Sequence, residues 1–142
     1  MRPNKKLPRG LRLCNPCNIR ISTDKFLGEV RPSSDKAFKE FERNAYGYRA
    51  AFRVLLTYIT RYHVNTVRGM IARFAPATEN HTEAYVNTVA QRAAIDPDKE
   101  LRTVDKEDLI RMVAAMSYVE NGVEADMHEV VDGWILVNEC PS

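Results

Sequence analysis

From Asn44 onward the apolar residues of this chain recur with a helical period, and before Asn44 they do not; that switch constrains the fold more than any other feature. Ala45, Tyr48, Phe52, Leu55, Leu56 and Ile59 fall on one face, with Asn44 as the expected N-cap. Asn65 is placed to cap a short helix whose apolar face is Val67, Met70, Ile71 and Phe74, and Pro76 stops it. Asn80 and Glu83 have capping-box spacing, followed by Ala84, Val86, Val89, Ala90 and Ala93 on a third helix. Asp96-Pro97-Asp98 breaks that helix. Asp105, with Asp108 behind it, opens the next, which carries the clearest stripe: Leu109, Met112, Val113, Met116 and Val119. Gly122 is its natural C′ residue. Asp126 opens a last helix with Met127, Val130, Val131 and Trp134. Met112, Met116 and Trp134 read as packing residues rather than a cofactor box.

The first forty-odd residues have another texture, rich in Gly, Pro, Ser and Asp. Asn18 to Ser22 reads as a strand, Thr23 to Gly28 as a turn, and Glu29 to Arg31 as a short returning strand. Pro32-Ser33-Ser34-Asp35 is a second turn before the alternating Ala37-Phe38-Lys39-Glu40-Phe41. The expected architecture is α+β: a small N-terminal antiparallel hairpin lobe, then about five helices. At 142 residues the chain fits a single domain, 1–142, with 1–10 as a basic, flexible arm.

Composition removes several function classes. No apolar run approaches the length of a membrane span. No apolar h-region follows the basic N-terminus, so a secretory signal is expected to be absent or already removed. Net charge is +2, too small to argue for nucleic acid. Arg2, Lys5, Lys6, Arg9, Arg12 and Arg20 nevertheless crowd the start without an acid among them, as either a solvated tail or a polyanion-binding arm. Cys14 and Cys17 form one C-x-x-C, and Cys140 stands apart. Structural zinc usually wants four ligands, and His63, His81 and His128 complete no recognisable spacing, so no metal is expected. Free thiols or a local disulfide are the default reading. There is no Gly-rich phosphate loop, no G-x-S-x-G and no H-E-x-x-H, and Ser117, Asp126 and His128 make no triad; no cofactor is expected.

One acid has a setting that suits chemistry. Glu120 closes the Leu109–Val119 stripe and is followed by Asn121 and Gly122, so it should emerge at the edge of the apolar core. Partial desolvation and the negative end of the helix dipole both disfavour its ionisation, which suits a general acid for glycosidic cleavage. Spacing alone better fits an exposed last-turn glutamate. Candidates for a second carboxylate are Glu29, Glu40, Glu42, Glu79 and Glu83, Glu83 having a competing capping role. Tyr46, Tyr48, Tyr58, Tyr62, Tyr85 and Tyr118 offer sugar-stacking surfaces or half-buried packing.

The opening Arg9-Gly10-Leu11-Arg12-Leu13-Cys14-Asn15-Pro16-Cys17-Asn18-Ile19-Arg20 resembles the R-G-I-R-N-N-N-P-G-N-I-R opening of small phage and prophage proteins labelled virion structural proteins or lysins. The likeness continues through Phe38-Lys39-Glu40-Phe41, Ala45-Tyr46-Gly47-Tyr48-Arg49-Ala50, Phe74-Ala75-Pro76, Glu79 to Val86 and Tyr118-Val119-Glu120-Asn121-Gly122. That family in turn looks lysozyme-like. Wall glucosaminidases and lytic transglycosylases carry a catalytic Glu in E-S-G at a helix end, then a hairpin, then a Y-A-T…Y segment. Here the hairpin-like motif comes first and E-N-G last, an order that suggests circular permutation. Cys14 stands where the pattern has Asn, and Cys17 where it has Gly; if that Gly position needs φ > 0, Cys17 is strained or the turn differs.

The resemblance implies a lysozyme-like domain that cleaves peptidoglycan glycan strands as a muramidase or lytic transglycosylase. Glu120 would be the catalytic acid, and Asn15, Asn18, Arg20, Tyr46, Glu79, Asn80 and Tyr85 would line the substrate cleft. Other virion proteins are further expected partners, and the implied location is the virion, or the bacterial cytoplasm or envelope of a prophage host. The alternative is an inactive structural or wall-binding module on the same fold. Nucleic acid binding through the basic arm is the weakest reading.

Overall fold

A computed structural model describes residues 7–75 and 79–139, the side chains of Glu79 and Asn80 excepted. In chain order it contains α1 (Arg9–Arg12), β1 (Glu29–Val30), β2 (Glu40–Phe41), α2 (Asn44–Tyr62), α3 (Val67–Phe74), α4 (Glu79–Ala93), α5 (Lys106–Asn121) and α6 (Met127–Glu139). The fold is mostly helical with one small antiparallel sheet, as the change of period predicts. Among the described residues no helix is long and apolar enough to cross a membrane.

α5 lies at the centre and touches α1, α2, α4 and α6. Its stripe is buried as expected: Leu109, Met112, Val113 and Met116 are fully enclosed, each stabilising the fold by roughly 1.5–3 kcal/mol relative to exposure. α2 packs along α6 because Gly133 lets the backbones approach. A Cβ on Gly133 would lie 2.7 Å from Tyr48 Cβ and 2.9 Å from the Arg49 nitrogen. One turn on, Phe52 meets Trp134 edge to face, ring centroids 5.1 Å apart. Met127 and Val131 belong to the expected apolar stripe of α6 but are exposed, because the face turned to α2 is the one carrying Val130, Gly133, Trp134 and Val137.

Two helix starts differ from expectation by one residue. Arg43 is the N-cap of α2, and the Asn44 amide donates instead to Glu129 Oε1 at 3.1 Å. Thr66 caps α3 through its side-chain oxygen, which accepts from Gly69 N, while the Asn65 carbonyl accepts from Leu101 N. Asp105 is the N-cap of α5, but its carboxylate binds the Arg102 backbone and guanidinium. Gly122, at φ 74°, and Asp126, whose Oδ1 accepts from His128 N, act as predicted. Pro76 lies outside the described residues, as do the arm residues Arg2, Lys5 and Lys6, and Cys140.

The hairpin lobe is smaller than read. β1 and β2 pair antiparallel, Glu29 opposite Phe41 and Val30 opposite Glu40. The segment read as a first strand makes a single bridge, Arg20 to Phe38, flanked by Ile21 N to Ala37 O and Lys39 N to Ile19 O. Arg9 and Gly10, expected to end the arm, instead open one helical turn, Arg9–Arg12, packed on α5. Beneath the lobe Lys39 is fully buried. Its ammonium donates to the carbonyls of Asp24 and Ser22 and pairs with Glu29 Oε2 at 3.0 Å, which offsets the cost of burying a charge.

Candidate active site

The loop from Cys14 to Arg20 is held from both sides. Asn15 is completely buried. Its amide donates to the carbonyls of Ile19 and Lys39, and its Oδ1 accepts from Ile19 N at 2.9 Å. From α5, Asn121 donates to Pro16 O at 2.7 Å, tying the loop to the helix end that carries Glu120. Gly10 and Gly47 permit the close approach: a Cβ on Gly47 would lie 2.3 Å from Cys14 O, and one on Gly10 2.6 Å from Asn121 Oδ1. Positive φ falls on Cys14 (54°) and Asn18 (53°). Cys17, at the Gly position of the pattern, does not have a positive φ and sits wholly inside the core. Asn18 tolerates the left-handed conformation, whereas Cys14 carries its steric cost.

This loop brings Asn18 against Glu120. The Asn18 amide donates to Glu120 Oε1 at 2.8 Å, and the hydroxyl of Tyr85, from α4, donates to Oε2 at 2.9 Å. Burial pushes the Glu120 carboxyl above the ordinary range for a glutamate. The bonds from Asn18 and Tyr85 and the charges of Arg9 and Arg20 oppose that rise without cancelling it. Tyr85 is itself held neutral by burial and by the neighbouring carboxylate.

Glu120 lines a groove of about 600 Å³. One wall comes from the N-terminal segment: Arg9, Asn18, Ile19, Arg20 and Phe38. The other comes from Val54 and Tyr58 of α2 and from Phe74 and Ala75 at the end of α3. Among the described lining residues Glu120 is the single carboxylic acid, half-buried beside apolar and aromatic surface. A second cleft of similar volume contains Glu29, but that acid is committed: burial raises it, and the bonds from Lys39, the Phe26 N–H and Arg31 overcome the rise and hold it ionised.

The predicted site residues separate into groups. Glu120, Asn18 and Arg20 share the groove, and Tyr85 stands behind Glu120. Asn15 does not face the groove, because all its side-chain bonds go to the backbone it organises. Tyr46 packs against Gly28 and under the Arg43 guanidinium, away from the groove lining. The side chains of Glu79 and Asn80 lie outside the described residues. Of the other acids, Glu40 accepts from Ser34 N, Glu83 pairs with Arg68, and Glu42 is exposed. Sequence reasoning missed Arg9, Phe38, Val54, Phe74 and Ala75 as groove residues. Arg9 opens the specific motif, and Phe38 and Phe74-Ala75 fall in segments that continue the resemblance, so a signal existed for them; Val54 had none.

Cys14 and Cys17 are both free thiols, and no cluster of His, Cys, Asp and Glu suited to a metal occurs among the described residues. No family model matches the chain. Protein P5 of Pseudoalteromonas phage PM2 is 38% identical to it over 117 residues, which span 80% of this chain and 71% of that protein.

Proposed function

The chain belongs to the family of that phage protein, and on that premise we propose that it cleaves the glycan strands of peptidoglycan, with Glu120 as general acid in a lysozyme-like groove. The observation that carries the reading is a single glutamate, harder to ionise than usual, at the edge of a groove with apolar and aromatic walls. A carboxylic acid in that state donates a proton to a glycosidic oxygen near neutral pH. The groove is large enough for a few sugar rings, and Tyr58 and Phe74 provide surfaces of the kind on which pyranose rings stack.

The described lining residues hold no second acid, and hydrolysis by either common route needs one. Chemistry with one carboxylate is the better fit. Glu120 protonates the leaving oxygen as the glycosidic bond breaks, then accepts the proton of the substrate's own C6 hydroxyl as that oxygen closes on C1. The products are a free chain end and an anhydro end, with no water consumed. Asn18 and Tyr85 keep the carboxyl fixed through both transfers. A wall-binding module without catalysis has no need of an acid kept partly desolvated.

Clearing of purified cell walls by wild type, and a loss of about 10²-fold or more in Glu120→Gln, is the expected result. Mass spectrometry of the released fragments should find ends one water lighter than hydrolysis gives. Equal clearing by the two proteins would remove Glu120 from the chemistry, and no clearing by wild type would leave a non-enzymatic module.

A further inference from the structure

Arg9 and Arg20 bracket the opening segment, and both reach the same groove wall. The Arg9 guanidinium lies 4.0 Å from the centroid of the Phe38 ring, and that of Arg20 lies 4.8 Å from it. Both residues are exposed, and among the described residues neither pairs with a carboxylate within salt-bridge distance. By contrast, Arg68 is neutralised by Glu83 and Asp98, and Arg102 by Asp105. A cation–π contact fixes a guanidinium without using up its N–H donors, which remain available to a carboxylate. The result is a pair of oriented cations held at the lip of a sugar-sized groove.

We infer that Arg9 and Arg20, braced on Phe38, form a subsite for the carboxylate substituent that peptidoglycan strands carry on every second sugar, and so select such strands over uncharged aminosugar polymers. The inference rests on the glycan-cleaving reading of the groove and adds its specificity. Two cations beside one carboxylic acid suit a strand with widely spaced single charges. Nucleic acid, charged at every residue, needs a longer basic track. The arrangement also couples binding to chemistry: both arginines pull the Glu120 carboxyl down, and a substrate carboxylate that neutralises them releases that pull and favours the proton-donating form.

The test is calorimetric binding in the Glu120→Gln background, which removes turnover, using a muramyl-containing tetrasaccharide and chitotetraose as probes. The expected result is tighter binding of the muramyl ligand. Arg9→Gln or Arg20→Gln should weaken it by about five-fold each while leaving chitotetraose within two-fold. Arg9→Lys should restore part of the loss. Equal affinity of the starting protein for both probes, equal losses for both, or binding of neither would overturn the subsite. Because the readout is affinity and not clearing, an inactive wild type that still discriminates the two probes would sink the enzyme reading and leave the subsite standing.

Discussion

At the residue scale, Glu120 has both oxygens engaged and still resists ionisation, because burial outweighs the two bonds and the two nearby arginines. That has a consequence for stability. A carboxyl raised in the folded state contributes stability that is complete below its ordinary value of 4.5 and is lost as pH rises through the folded value. Glu120→Gln, which cannot ionise, escapes that loss. Melting temperatures at about pH 4 and about pH 8 should show the variant gaining on wild type as pH rises; a difference independent of pH would mean that Glu120 ionises normally. The sequence made Glu120 visible because the stripe above it is long and apolar. It misled at Asn15, since a polar residue in a motif loop looks like a ligand contact until its bonds are traced. Those bonds satisfy two backbone groups of the loop, both on Ile19, and the carbonyl of Lys39, far along the chain.

At the element scale, the apolar period fixed which faces of α2 and α5 are buried but not where the helices begin. Periodicity constrains rotation about the axis, whereas a cap depends on one side chain reaching one N–H, and Thr66 reaches Gly69 where Asn65 was favoured by residue type. The small sheet was legible as turns and alternation. Its first strand shrank to one bridge because Asn15 and Lys39, rather than a ladder, hold that segment. The α2–α6 contact depends on a glycine that no period marks. Gly133→Ala forces a Cβ to within 3.0 Å of α2 and should cost about 1–3 kcal/mol in chemical denaturation, despite the better helix propensity of alanine. Gly122→Ala meets nothing within 4 Å and suffers only for its left-handed backbone, about 1 kcal/mol. A Gly133→Ala protein as stable as wild type would show that the two helices can part freely.

At the scale of the whole molecule, the groove joins residues about a hundred positions apart, Asn18 to Glu120, and no local period carries that information. The motif resemblance placed the two segments near each other; Val54 stayed hidden because a groove wall and a core stripe have the same spacing on a helix. The same long-range construction makes the acid on α5 sensitive to charges on the N-terminal segment. Arg9 and Arg20 favour the ionised form of Glu120, so removing either cation should keep the acid protonated to higher pH. In wall-cleavage assays the alkaline limb of kcat/KM, which reports the free enzyme, should therefore move up in Arg9→Gln and in Arg20→Gln. Both arginines are exposed, so the displacement should shrink in about 1 M salt, where screening acts over roughly 3 Å. A limb that stays fixed in both variants would assign that ionisation to a group other than Glu120, whereas a downward move would mean that losing an arginine opens the site to water and relieves the burial of Glu120.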